Sequence, residues 1–356
     1  RSLPSPPSIV SLPARPEIVS SPSVPTRLSS PDVAVTSAEK EMDVWPFSVV
    51  VLTEWYSPET VKVESAPSAL MVTVVWPLLA VKAYGDVSLR SFADLDFLVP
   101  HGQIEQALRL LNQLGYQGKH NLTPRQWQAF VGYAGQDILF GKGAPVEPHW
   151  EFAPRTLAVD IDYEALWDRS IEVQFNGHNV KSFTAEDELI ILCLHGSKEK
   201  WAVLKWVVDL AEFVSSHPDL AWDQVFDRAE DQGMARIVRL SLAIAEQLLS
   251  LQLPEHVLQW KDEDALASTW GKQIATGFFF RVADGTSIYT YSAFHLKMRE
   301  RLSDKFNYLF RTMTQPRVQH FATLNIPDSM FFAYYPLKLL HDYFALPVWK
   351  LLKKRS

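Results

Sequence analysis

The sequence predicts an α+β fold: a small mixed sheet with helices, followed by an all-helical C-terminal part. Apolar β-branched runs alternate with amphipathic stretches between residues 71 and 150. Beyond about residue 155 the texture changes to helix after helix, and prolines and glycines punctuate the joins throughout.

Taken in order, Met71–Val75 is β-branched and apolar and reads as a buried strand. Pro77 stands where a helix begins, and Leu78–Tyr84 forms it. Phe92–Val99 reads as a second strand, closed by Pro100. Gln103–Leu114 is an amphipathic helix, with Ile104, Ala107, Leu108 and Leu111 on one face and Gly115 as its stop. Ile138–Phe140 and Pro145–Trp150 read as a hairpin turned by Gly141 and Gly143. Thr184 then N-caps a helix, with Asp187 three residues on. Helical periodicity runs through Glu186–Ser197, Trp201–Ser215, Trp222–Asp231, Ala235–Leu251, Asp264–Val282 and Phe294–Met313.

The first 31 positions hold eight prolines and nine serines, so residues 1–40 are expected to be disordered. Residues 41–68 form an extension without a clear assignment. The expected layout continues with an α/β domain over 69–155 and a helical domain over 156–350. A net charge of −7 gives no basic field and no strong nucleic-acid signal. Cys193 is the lone cysteine, which excludes an intramolecular disulfide and fits a reducing cytosol; a cytoplasmic location is expected. Met330–Trp349 is apolar but interrupted by Lys338, His341 and Asp342, so it reads as an amphipathic helix and not a membrane span. The closing Lys353-Lys354-Arg355 reads as a solvated tail. No GxxxxGK[ST], GxGxxG or GxSxG pattern occurs.

The sharpest feature is Ala93-Asp94-Leu95-Asp96-Phe97-Leu98-Val99. On a strand, residues two apart share a face, with Cα atoms roughly 6.5–7 Å apart. Two carboxylates so placed suit a hard cation such as Mg²⁺. Asp160-Ile161-Asp162 and Asp262-Glu263-Asp264 share the spacing, but the first precedes a short helix and the second is a polar connector. On local grounds, metal binding and a solvated strand end are both open for Asp94 and Asp96.

Leu79-Ala80-Val81-Lys82-Ala83-Tyr84-Gly85-Asp86-Val87-Ser88-Leu89-Arg90, running into Asp94-Leu95-Asp96, resembles the uncharacterised nucleotidyltransferase family of bacteria, related to the polymerase-β-like transferases. Gly115-Tyr116, Glu147-Pro148-His149-Trp150, the run Ile191 to Lys198 and Trp206-Val207-Val208-Asp209-Leu210 extend the likeness over roughly residues 75–345. The resemblance implies a small nucleotidyltransferase sheet, an α-helical C-terminal part, and NTP with Mg²⁺ as ligands, the acceptor being unknown. By position it implies that Asp94 and Asp96 bind metal and that Arg90 approaches the triphosphate. Glu147 stands for the third carboxylate, as ligand or base, where the family usually carries Asp followed by Leu. The family's Lys-Gly at the end of the first strand falls on Val75-Trp76 here. Lys82 supplies a nearby cation, from a helix and without the glycine. Restoring Lys-Gly at 75 and 76 is expected to recover NTP binding. Two functions follow: a nucleotidyltransferase, or an inactive member of the family acting as a binding or regulatory module.

If the helix continues past Ser197, His195, Lys198 and Trp201 form a stripe able to contact a nucleotide or acceptor. The other reading is a core histidine beside a solvated lysine. His149 reads as a packing partner of Trp150. Asp209, costly to bury unpaired, calls for a cation, and Lys205 or Arg236 is in reach by sequence.

Overall fold

Both neighbours of the strand Leu95–Leu98 are strands, which is why its four residues, Asp96 among them, are all buried. In the computed structural model, described here for residues 71–175, 178–280 and 291–345, this is the central strand of a mixed sheet. The strands are β1 (Thr73–Val74), β2 (Leu95–Leu98), β3 (Gln117–Gly118), β4 (Leu139–Phe140), β5 (Val146–His149), β6 (Ile171–Phe175) and β7 (His178–Ser182), in the spatial order β3-β4-β5-β2-β1-β7-β6. β2 runs antiparallel to β1 and parallel to β5, and β1 runs parallel to β7. The expectations for residues 1–40, residues 41–68, the ends of Asp264–Val282 and Met330–Trp349, and the tail Lys353-Lys354-Arg355 lie outside the described residues.

The helix Trp76–Tyr84 follows β1 directly, with Pro77 in its first turn. It ends on Gly85 at φ +80°, a left-handed conformation that glycine adopts without steric cost, and the Gly85 N–H donates to Val81 O at 2.9 Å. The amphipathic helix appears as Ile104–Gln113, burying Ile104, Ala107 and Leu111. Alternation along the strands then sorts the core into two clusters. Val74, Leu95, Phe97, Val99, Val146 and Trp150 face the side of Ile104–Gln113 and of the helix Pro124–Ala134. Leu98 faces the other way, toward Leu79 and the helices Ala185–Lys198, Leu204–Ser216 and Ala235–Leu249. Thr184 caps Ala185–Lys198 as expected, accepting from the Asp187 N–H. Asp162 likewise caps Tyr163–Asp168, as the sequence indicates for that Asp-x-Asp.

Four differences have physical causes. The strands β6 and β7 lie beyond the boundary expected at residue 155, yet they extend the same sheet through β1. Their alternation is mostly exposed, with Phe175 and Val180 the apolar residues that reach the core, so the period-2 signal was faint. Pro124–Ala134 is a helix that the expectation omits, started by a Thr123–Gln126 capping box. The expected helix Phe294–Met313 is broken into Ala293–Met298 and Leu302–Thr314. At the break Arg299 turns inward and donates to Leu157 O at 3.0 Å. Finally, residues 318–334 return to the sheet: Phe321, Phe331 and Tyr334 join the cluster of Trp150, and Gln126 Nε2 donates to Tyr334 Oη at 3.1 Å.

Candidate active site

Parallel register between β2 and β5 pairs Asp96 with Glu147 and Leu98 with His149. Since side chains alternate, Glu147 and His149 share one face of β5 and Asp96 lies beside them on β2, while Asp94 sits in the bend just ahead of β2 and lines the same cavity. Their neighbours Leu95, Phe97 and Val146 fill the apolar cluster behind. His149 Nε2 lies 2.6 Å from Asp96 Oδ1 and 3.8 Å from Glu147 Oε2. One ligand atom each from Asp96, Glu147 and His149 lies within 4.8 Å of the others. Asp94 lines the same cavity as Asp96 and Glu147. Gln136 Nε2 donates to Glu147 Oε2 at 2.6 Å, and Lys198 Nζ approaches Gln136 Oε1 at 3.5 Å.

This crowding has an electrostatic cost. Burial, then the charges of Asp96 and Asp94, push the Glu147 carboxyl up to about 8. Burial and then Asp96 raise Asp94 as well. Carboxylates in such contact either share a proton or take a cation that displaces it. Among the described residues, the ion pairs of Asp96 and Glu147 are with His149, and none joins Asp94, Asp96 or Glu147 to a lysine or arginine. The donor set therefore fits a divalent ion, with the carboxylates of Asp96 and Glu147 and one imidazole converging and the Asp94 carboxylate lining the same cavity.

A cavity of about 380 Å³ opens over the cluster. His195 and Lys198 reach it from the last turn of Ala185–Lys198, and Lys205 and Trp206 from the first turn of Leu204–Ser216. The helix ends at Lys198, so the expected stripe stops there. Trp201, at φ +53°, folds back and is fully buried against Gly196, where a Cβ would stand 2.5 Å from the indole. His195 packs edge-on against Trp76 (4.6 Å) and Trp206 (5.2 Å), and burial holds its imidazole well below the usual range.

Two of the expected phosphate contacts are corrected. Lys82 points away from the cavity, bound to Glu188 Oε2 (2.5 Å), Ser182 Oγ (2.6 Å) and Phe183 O (3.0 Å). The buried Glu188 carboxylate holds the flexible ammonium on a side of the helix that does not line the cavity. Arg90 does line the cavity, but its fork is closed on Asp209: Nε at 3.0 and 3.1 Å, Nη2 at 3.0 Å. Asp209 thus pairs with Arg90, and not with Lys205 or Arg236. Lys205 donates to Ser91 O (3.3 Å) and Arg236 binds Asp264 (2.7 Å). His149 is a site residue as well as a neighbour of Trp150. The signal was present: Glu147 and His149 are two apart on a strand, the same spacing that singles out Asp94 and Asp96. Gln136, brought in by an isolated bridge to His149, carried no sequence signal. Cys193 is fully buried and its thiol is pushed up to about 12 by burial, which removes it as a nucleophile.

Val75 and Trp76, which stand where the family carries Lys-Gly, are core residues at 5% and 8% exposure. The Trp76 ring also lines the cavity, with the Arg90 guanidinium 5.2 Å from its centroid. Grafting Lys-Gly here would bury an ammonium and open a ring-sized void, so the expected rescue of binding does not follow from this packing. Trp76→Gly alone should lower stability by about 3–5 kcal/mol, as large aromatic truncations in cores do. Urea unfolding measures this, and a loss under ~1 kcal/mol would place the ring outside the core.

No curated protein matches the chain. The model of the uncharacterised nucleotidyltransferase family matches residues 77–250, which span the helix after β1, both strands of the carboxylate cluster, and the helices that bring His195, Lys198 and Lys205. With the mixed sheet and helical C-terminal region alongside that match, residues 77–250 of the chain are similar to the uncharacterised nucleotidyltransferase family.

Proposed function

We propose that this protein transfers a nucleoside monophosphate from an NTP to an acceptor hydroxyl or amine, with Mg²⁺ held by Asp94, Asp96 and Glu147. The observation that carries this reading is that three carboxylates, two of them convergent, line a cavity that also contains Lys198 and Lys205. The ion supplies charge neutralisation at the phosphates and acidifies the attacking group. Lys198 and Lys205 add positive charge where Arg90 and Lys82 do not. His149 holds Asp96 in place through its Nε2 contact. Glu147 acts as ligand, or accepts the proton of the attacking hydroxyl. Neutral His195 and Trp206 offer a flat apolar wall against which a base can pack. In-line attack forms the bond from acceptor to α-phosphorus and releases pyrophosphate.

A second reading, a non-catalytic binding or regulatory module, is favoured by one observation: Trp76 fills the strand end where the family carries glycine. Calorimetric titration with each NTP, with and without Mg²⁺, followed by assay of pyrophosphate release, separates the two. Mg²⁺-dependent binding and release are expected from the enzyme. Binding with no release across hydroxyl and amine acceptors supports the module. No Mg²⁺-dependent binding at all sinks the nucleotide reading.

A further inference from the structure

The helix Ala185–Lys198 ends in a turn that runs against residue preference. Lys200 and Trp201 stand at φ +54° and +53°, two left-handed residues in succession and neither a glycine. Their amides close the helix end: Lys200 N–H donates to Ser197 O at 3.0 Å, and Trp201 N–H to Gly196 O at 2.7 Å. That pair of bonds ordinarily goes with glycine at the place of Lys200. A backbone of this cost persists only where its surroundings hold it, and such places cluster at functional sites. The holding contact is the completely buried Trp201 indole, seated on the bare Cα of Gly196. A Cβ at 196 would stand 2.5 Å from Cη2 and Cζ2 and 2.6 Å from Cζ3. Gly196 lies inside the helix, where glycine lowers helix stability, so room for the ring is what requires it.

What this turn joins is an independent observation. Lys198 closes the helix before it and Lys205 stands in the first turn of Leu204–Ser216 after it, and both line the cavity over the carboxylates. The backbone of Lys198 is pinned from a third element, since the buried His295 ring donates from Nε2 to Lys198 O at 3.0 Å. Lys198 Nζ meets Gln136 Oε1 and Lys205 Nζ meets Ser91 O, at 3.5 and 3.3 Å. Both contacts are to neutral oxygens, which leaves the charge of each ammonium to an anion.

We infer that Gly196 and Trp201 are a positioning pair: the indole locks the turn between the two helices and so sets Lys198 and Lys205 over the carboxylates to take a polyphosphate. The inference rests on the nucleotidyl transfer proposed above and assigns the phosphates to this turn. The strand end at Val75 and Trp76 is packed into the core and presents no ammonium. The carboxylates stand on and beside β2 and β5, which are separate elements from the turn. Loosening the lock should therefore part phosphate binding from metal binding, which a merely structural contact would not do.

The probe is tripolyphosphate, titrated calorimetrically into the full chain with Mg²⁺ present, beside Mg²⁺ titrated alone. Gly196→Ala drives a methyl into the indole and should weaken tripolyphosphate binding ~tenfold to hundredfold, the loss of one charge-assisted contact, with Mg²⁺ affinity unchanged. Trp201→Phe leaves a gap at Gly196 and should weaken it as well. The two substitutions together should restore binding, because the added methyl fills the room that the smaller ring leaves, and the cycle then reads a favourable coupling. This rescue decides the matter even if Gly196→Ala alone fails to fold. The inference is overturned if Gly196→Ala binds tripolyphosphate as the natural chain does, or loses Mg²⁺ to the same degree. It is overturned too if the double variant binds no better than Trp201→Phe. A natural chain that takes Mg²⁺ but no tripolyphosphate would overturn nucleotidyl transfer and this inference together, whereas tight binding by every variant would overturn the inference alone.

Discussion

Asp209→Ala is expected to destabilise the protein by about 3–5 kcal/mol, the usual cost of removing one partner from a buried ion pair. Arg90 and Asp209 are 6% and 1% exposed, and the carboxylate also accepts from Tyr84 Oη at 2.8 Å. The substitution strands a guanidinium between the rings of Trp76 and Phe92, each 5.2 Å away, with no carboxylate beside it. Replacing both partners by apolar residues, Arg90→Met with Asp209→Leu, should cost much less, since no uncompensated charge remains. Urea unfolding of the two single variants and the double variant gives the coupling. A double variant as unstable as Asp209→Ala would show that packing, and not charge, holds this junction. The pair ties the segment entering β2 to Leu204–Ser216, the helix that carries Lys205 and Trp206 into the cavity. It therefore fixes the shape of the site while contributing no free charge to it.

That pair also shows where sequence reading stops. The carboxylates Asp94 and Asp96 were legible because two short-range rules coincide: strand alternation and an apolar run behind them. Glu147 was legible through the resemblance, and parallel register with β2 sets it beside Asp96. The partner of Asp209 was not legible. Residue spacing favours Lys205, four positions away on the same helix, whereas Arg90 lies 119 residues distant in sequence and meets Asp209 only through packing. Lys82 failed for the same reason, as its partner Glu188 lies 106 residues away. Helices with strong periodicity were read nearly residue for residue, as Trp222–Asp231 was. The break at Arg299 was missed because apolar period continues across it, and a long-range bond to Leu157 O decides the conformation. β6 and β7 were missed because their outward faces are polar and little of either strand is buried.

Divalent-ion affinity should rise with pH up to about 8 and then level off, because Glu147 must release its proton to become a ligand. Below that point each unit of pH should cost ~tenfold in affinity, one proton being released per ion bound. The same shift acts on the metal-free protein with a definite sign. Glu147 is raised from 4.5 to about 8 on folding, so between those values the folded chain keeps a proton that the unfolded chain has lost. Stability contributed by that proton is fully present below 4.5, falls as pH rises through the window, and is gone above about 8. Glu147→Gln should flatten both curves. It removes the titrating group, relieves the repulsion from Asp96 and Asp94, and keeps the bond with Gln136 within reach through its amide. Asp96→Asn should instead lower metal affinity at every pH by ~tenfold to hundredfold, the worth of about 1.5–3 kcal/mol for one charge-assisted contact. Calorimetric titration with Mg²⁺ across this pH range, beside urea unfolding without metal, reads both effects. If Glu147→Gln keeps the natural slope, the proton belongs to another group. If Asp96→Asn binds as tightly as the natural chain, the ion sits elsewhere and the carboxylate cluster is held by its shared proton alone.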